Sequence, residues 1–505
     1  MALIPLTIQP GVWLNGTAYQ ARGRYYGSNL VRWYDQTLRP WGGWGKFTPN
    51  ALSGVPRGMI AWVDQTGLLW VMAGSASKLM ILDSGGLYYD ITPTGFTVGI
   101  TDATNIGGYG GNTYGNSTYG NARGSSSMVT PATVWTLDTL EQTPIACCPG
   151  DGFIYQWDLN TAHLATKCPN SPINCRASFV TQEGFIFALG ANGDPRNIMW
   201  PDQSSTSNWT PSDVAQAGSY AIQTPGRLVC GCATRSGSLI WTTTDVHLAT
   251  YQGLPIIYSF NQLGSECGII SPLAFATAEG AVYWMGPNGF WKYDGSVQPL
   301  ESDVWDYLFK NLNVLQRSKT WALHNGYYGE VMWFYPSNAG TEIDSYVTYN
   351  YREGHWAVGL LARTSGVQQG VLNNPIMAAP TGFVWSHELT VINYQGEGTP
   401  YAETGPLEFD STYVGDVVGG NHPGDRTFDI VQLIPDALTL GDVTATFYTR
   451  FYPTGPETTW GPYAMANPTS VRISGRQARM RLTGANNTDW RIGIPRIDFR
   501  PAGNR

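Results

Sequence analysis

Five carboxylates, Asp64, Asp83, Asp90, Glu279 and Asp294, stand near turns of the chain. Two carboxyl groups held about 5 to 9.5 Å apart suffice for glycoside hydrolysis, one as acid and one as nucleophile or base. The local sequence argues for a plainer role. Asp83 sits in DSGG and Asp294 in DG, where aspartate is favoured because it hydrogen-bonds its own turn. The S-x-D-x-G-x-T-W box of sialidases is absent.

Other chemistries find less. The stretch GGYGGNTYGNSTYGN (107–121) places Tyr109, Tyr114 and Tyr119 five apart, each followed by glycine. It lacks the GxxxxGK[ST] pattern of a phosphate loop and no parallel strand leads it into a helix. Its Tyr-Gly pairs read as turns beside amphipathic rings, in an extended stacked loop inserted at about 93–132. No G-x-S-x-G elbow occurs, so acyl transfer has no candidate serine. His387-Glu388 lacks the second histidine of a zinc-binding helix face, and the six histidines are dispersed. The seven cysteines, an odd number without CxxC pairing, read as reduced, buried small hydrophobes. The expectation is therefore no catalytic residue, no cofactor, no metal and no enzyme.

The elements that would position any site are short strands. Units such as LLWVMAGSASKLMILDSGGLYYDIT (68–92), SLIWTTTDVHLATYQGLPIIYSF (238–260) and GAVYWMGPNGFWKYDGSVQPL (280–300) each read as one or two hairpins. They recur at the period of roughly 45 to 50 residues expected of propeller blades. A four-stranded blade cannot bury both faces alone, whereas radial stacking does so. Trp70, Trp241, Trp284 and Trp333 suit such packing between blades. Helical periodicity is confined to DVWDYLFKNLN (303–313), where Val304, Leu308 and Leu312 recur. After about residue 400, strands such as VRISGRQARMRLTG (471–484) alternate charged and apolar residues, as a half-exposed antiparallel sheet does.

Composition agrees with an all-β chain: 13% charged residues, sixty glycines and 32 prolines among 505 residues. A net charge of −8 without a basic run lacks the footprint of tight nucleic-acid binding. No apolar run approaches the roughly 20 residues of a membrane-spanning helix, and the first residues lack a basic segment of the signal-peptide kind. Neither membrane insertion nor secretion is expected.

Several motifs together resemble a family, the tail hub or nozzle proteins of short-tailed bacteriophages and related prophages, also described as packaged-DNA stabilisation proteins. They are NLVRWYDQTLRPWGGW (29–44), the GYG/TYG/TYG run followed by TVWTLDTLEQ (133–142), DPRNIMWPDQSSTSNWTPS (194–212) and AGSYAIQTPGRLV (217–229). GSECGIISPLA (264–274), YVTYNYREGHWAVGLLART (346–364), TRFYPTGPETTWGPY (449–463) and the closing strands from 474 to 505 continue the likeness.

The resemblance implies a β-propeller with an additional β-rich, sandwich-like platform: an N-terminal arm over 1–44 packing with the platform, the propeller over 45–400 and the platform over 401–505. It further implies a homohexameric ring in the virion tail, assembled in the bacterial host cytoplasm. Such a ring lies below the portal and its head-to-tail adaptor proteins, and carries tail fibres, tailspikes or tip proteins. Double-stranded DNA would pass through the channel without tight binding, which weak charge favours. Candidate assembly contacts are Tyr109, Tyr114, Tyr119, Trp33, Trp41, Trp44, Arg476 and Arg479, with core packing an equal reading for the three tryptophans. The alternative function is a glycan-binding or glycan-cleaving propeller.

Overall fold

The computed structural model describes residues 2–106, 128–212, 215–407, 427–438, 441–452 and 454–502. Seven antiparallel four-stranded sheets form the blades of a β-propeller. Their innermost strands are Met59–Val63, Thr136–Leu140, Ala177–Val180, Leu228–Thr234, Phe275–Ala278, Trp321–Asn325 and Ser365–Val367. Numbered in that order, blades one to six are each built from consecutive strands. Blade seven takes its outermost strand, Gly43–Lys46, from near the start of the chain. Hydrogen bonds between the two ends of the propeller segment thus hold the ring shut, and the blade sheets have few free edges.

Aromatic side chains fill the wedges between blades, as expected for blades that bury both faces only by stacking. The Trp241 and Trp284 rings of blades four and five lie 5.5 Å apart, and Trp70 meets Trp157 across blades one and two at 5.4 Å. The Trp333 indole donates to the Ala274 carbonyl at the edge of blade five. Gly74 and Gly231 permit close approaches of neighbouring blades. A Cβ on Gly74 would fall 2.3 Å from the Trp135 ring, and one on Gly231 would fall 2.2 Å from Phe179. The helix Trp305–Asn311 connects blades five and six, with Val304, Leu308 and Leu312 buried as their spacing predicts.

The two remaining large sheets combine both ends of the chain. One has six strands and pairs Gln9–Val12 and Arg24–Asn29 with Tyr401–Thr404, Gln477–Gly484, Val443–Arg450 and Thr458–Ala464. The other has four strands, in the order Ala2–Pro5, Arg496–Pro501, Phe428–Ile434 and Thr469–Gly475. Alternate residues of Val443–Arg450 and Thr469–Gly475 are buried, the two-residue period of strands with one face on a core. Ile430, Phe447, Ile473, Met480 and Phe499 fill that core, which is continuous with the cores of blades four to six.

A buried charge cluster marks the seam where the N-terminal segment meets blades six and seven. Arg32 is fully buried; its Nε donates to Glu330 Oε1 at 3.1 Å and an Nη donates to Glu388 Oε2 at 2.9 Å. Glu388 also accepts from the Gly42 amide and from Asn325, while the Tyr328 ring covers the guanidinium at 3.7 Å. Burial would lower the Arg32 pKa, but Glu330 and Glu388 more than offset it and hold it above its ordinary value. Burial pushes Glu330 up to about 7 despite the opposing pull of Arg32.

Trp33, Trp41 and Trp44 pack around this seam and are 2%, 2% and 1% exposed. Trp41 meets Tyr346 at 4.4 Å and Trp44 meets Tyr394 at 4.7 Å. Their place as subunit contacts is therefore corrected: they are core residues of their own chain, with no surface left for a neighbour. Trp33 faces His355, which burial pulls down to about pKa 4, and burial and the adjacent Arg363 hold His387 well below its usual value.

Arg32→Met should cost about 3–5 kcal/mol in denaturant unfolding near neutral pH, because it strands buried Glu330 without a partner. Adding Glu330→Gln should restore part of that loss, and full stability in Arg32→Met alone would refute the assignment. His355, neutral when folded, contributes stability that is present above its unfolded pKa and lost as pH falls from about 6.5 towards 4. Glu330 has the opposite sign, since its raised pKa makes the folded state lose stability as pH rises from about 4.5 to 7. The difference between His355→Gln and the parent protein isolates the histidine: the variant should lose less stability over that acid range, by roughly 1–3 kcal/mol.

Candidate functional site

Each blade's innermost strand is fed by a segment at one end of the propeller axis, so residues just before these strands converge on the channel mouth. A cavity of about 390 Å³ lies there. Pro131, Ala132 and Val134 lead into blade two, Ile269, Ile270 and Pro272 into blade five, and Val314 and Leu315 precede blade six. The wall is mostly apolar. Three cations interrupt it: Arg176, Arg227 and Arg317, from the segments leading into blades three, four and six.

Two nearby cations, Arg57 and Lys319, are neutralised. The Arg57 guanidinium grips Glu342 with bonds of 3.0 and 2.6 Å, and the buried Lys319 ammonium lies between Asp102, the Thr341 carbonyl and Glu342. Asp102 belongs to the long connection between blades one and two, and Gln316 pins that connection by hydrogen bonds to both polar groups of the Ala103 backbone. For Arg176, Arg227 and Arg317 no ion pair with a described carboxylate exists. Burial lowers the pKa of Arg176 and Arg227, and for Arg227 the neighbouring Arg176 and Arg317 lower it further. The mouth thus presents mutually repelling positive charge over an apolar wall.

A second cavity, about 400 Å³, opens beside the seam. Its lining is polar and aromatic, with Asn325, Tyr327, Tyr328, Asn374 and Glu388 among the residues around it. Glu388 adopts a left-handed backbone conformation, φ 57°, which glycine usually supplies. Glu330, protonated at neutral pH more readily than an ordinary glutamate, shares Arg32 with it.

The acids singled out in the sequence do not converge. Asp64 accepts from Thr66, Leu68 and Trp70, and hydrogen bonding led by the Thr66 hydroxyl lowers it to about pKa 2. Asp83 accepts from the Gly85 and Leu87 amides, Asp90 holds Lys78 and Thr92, Glu279 holds Arg352, and Asp294 pairs with Lys292. Each stabilises its own turn or a neighbouring strand. Arg479 is bound to Glu403 and Glu457 and lies over the Tyr448 ring, so its charge serves its own sheet. Arg476 is half-buried at the turn joining Thr469–Gly475 to Gln477–Gly484. Tyr109, Tyr114 and Tyr119 lie outside the described residues. The cysteines carry free thiols, and burial pushes Cys148 up to about 12. Among the described residues no group of three or more His, Cys, Asp or Glu is placed to hold a metal ion.

Neither the three arginines nor the Glu330–Glu388 pair stands out as a motif. A usable signal existed for the arginines: Arg176 and Arg227 each stand immediately before an inner strand, and Arg317 stands shortly before another. Only a blade-by-blade alignment brings these positions together.

No protein-family model and no curated protein sequence matches this chain. Solved structures of similar shape do. A streptogramin B lyase is 10% identical with a TM-score of 0.41, over 68% of this chain and 97% of its own. The YCF48 protein bound to a D1 peptide is 10% identical with a TM-score of 0.39, over 72% and 98%. A gluconolactonase of Xanthomonas campestris is 9% identical with a TM-score of 0.31, over 77% and 98%. Such likeness concerns the fold and not the chemistry, and none of the three is named as a tail protein. With a lyase and a lactonase among these structures, the expectation that the chain is no enzyme is withdrawn, and likeness this distant assigns no activity in its place.

Proposed function

We propose that the chain is a structural virion protein of the tail-hub kind, one subunit of a homohexameric ring that extends the genome-ejection channel below the portal and adaptor. One observation carries the reading: both ends of the chain build a β-rich platform onto a seven-bladed propeller, and the 29–44 motif of the family resemblance forms their buried seam. Ring closure needs two different, complementary faces on each subunit. Phe451 and Tyr452, 49% and 66% exposed at the end of the platform strand Val443–Arg450, give one such face an apolar anchor.

Mass photometry and negative-stain imaging, with and without an adaptor-bearing portal, test this reading. Six-fold rings, or addition onto the portal assembly, are expected. The Phe451→Ser/Tyr452→Ser variant should weaken the ring by about 2–4 kcal/mol per interface, the range for losing a hot-spot anchor. A strictly monomeric protein that ignores the portal assembly overturns the proposal.

The cavity beside the seam favours a second reading, a glycan-binding or glycan-cleaving propeller. Tyrosines and side-chain amides surround it, as suits sugar hydroxyls, and Glu388 stands at its wall as an acceptor for them. An array of host polysaccharides, read for binding and for new reducing ends, should then give a signal that Tyr327→Ala and Asn374→Ala reduce by about tenfold, the loss of one good hydrogen bond. Silence across the array removes this reading.

A further inference from the structure

The channel mouth holds charge that the rest of the subunit does not answer. Among the described residues the deeply buried cations each have a carboxylate: Arg32 has Glu330 and Glu388, Arg57 has Glu342, Lys319 has Asp102, and Arg363 has Glu397, whereas Arg176 and Arg227 are half-buried and Arg317 is exposed. Arg176, Arg227 and Arg317 have none, although they face one cavity and repel one another. No acidic residue lines that cavity. Arg227 feels the repulsion of both Arg176 and Arg317, and an anion arriving at the mouth would relieve it.

The arrangement is held in place. Arg176 directly precedes the inner strand Ala177–Val180, and its stem lies against Gly190, φ 69°, where an added Cβ would meet the Arg176 Cγ at 3.0 Å. Arg227 directly precedes Leu228–Thr234, and Arg317 opens the single turn Arg317–Lys319 before Trp321–Asn325. The inner strands therefore fix the bases of Arg176 and Arg227, and the turn places Arg317 beside them, so the backbone of the site is preformed. The remaining wall is apolar, with Val314 62% and Leu315 38% exposed to the cavity and its surroundings.

We propose that this mouth is a binding site for a small organic anion, a carboxylate or phosphate head on a compact apolar body. Guanidinium forks match both head groups with paired, charge-assisted hydrogen bonds. The apolar wall takes the body, and about 390 Å³ suits a small molecule. The site involves neither the platform surface nor the cavity at the seam, so it stands or falls independently of ring assembly and of glycan binding.

Calorimetry and thermal-shift titration on the full chain test it with four probes: phenylphosphate, octanoate, inorganic phosphate and neutral benzyl alcohol. Phenylphosphate and octanoate should bind and raise the melting temperature, inorganic phosphate should bind more weakly, and benzyl alcohol should have no effect. Arg227→Gln should weaken phenylphosphate by about tenfold or more, the scale of one charge-assisted hydrogen bond, and Arg227→Lys should restore part of it. Arg317→Gln, at an exposed position, should weaken binding while leaving the fold and the oligomeric state unchanged. Absence of binding by both organic anions overturns the proposal. So does phenylphosphate affinity that is unchanged in both glutamine variants, or equal to that of inorganic phosphate or benzyl alcohol.

Discussion

The buried guanidinium of Arg32 is the constraint on which the rest of the subunit depends. A fully buried cation is tolerable only with charged partners and satisfied donors, and in meeting that need Arg32 ties three parts of the chain together. Glu330 comes from the second strand of blade six, Glu388 from the third strand of blade seven, and Arg32 itself from the hairpin that follows the platform strand Arg24–Asn29. None of the three can move without uncovering charge in a low-dielectric interior. That explains why Glu388 retains a left-handed backbone conformation that costs energy elsewhere: its carboxylate must also reach the Gly42 amide and Asn325. A Cβ on Gly42 would sit 2.5 Å from the Glu388 Cα, so the glycine is what lets the two backbones close over the pair.

From this seam the topology follows. Once residues 29–42 are anchored, the next residues reach blade seven as its outer strand, and the chain then enters blade one. Closing the propeller and attaching the platform are therefore one event, performed by one segment. Hydrogen bonds extend the coupling: the Ser28 hydroxyl reaches the Val358 carbonyl, the Tyr346 hydroxyl accepts from the Leu30 amide, and Tyr394 reaches the Trp41 carbonyl. A β-sandwich attached through a flexible linker would leave its edges and the last blade to close separately. Here the shared core of the platform and blades four to six makes them a single folding unit.

Much of the fold was legible because its determinants are local. Alternation in 471–484, the tryptophan early in each hairpin unit and the i, i+4, i+8 spacing of Val304, Leu308 and Leu312 each depend on neighbours a few residues away. The inter-blade role of Trp241 and Trp284 was readable for the same reason. The role of Trp33, Trp41 and Trp44 was not, since aromatic character suits a core and an interface equally and burial by residues some 300 positions away decides between them. Both candidate sites fall in this second class. Arg32 is separated from Glu388 by 356 positions, and Arg176, Arg227 and Arg317 meet only because the blades form a ring.

The charge of the chain must accordingly be read locally. A net −8 argues that a polyanion would pass without being held, yet the same chain concentrates uncompensated arginines at the propeller axis. The two statements refer to different spaces. A duplex, whose major groove alone is about 12 Å wide, cannot enter a cavity of about 390 Å³, so the arginines lie out of reach of double-stranded DNA. Their field is confined as well: the apolar wall sharpens it within the mouth, while Asp102 and Glu342 neutralise Lys319 and Arg57 on the side of blades one, six and seven. An anion is thus favoured at one small place on a molecule whose overall charge repels it. What sets the mouth apart is the gathering of three arginine side chains, without an acidic residue, on one apolar concavity.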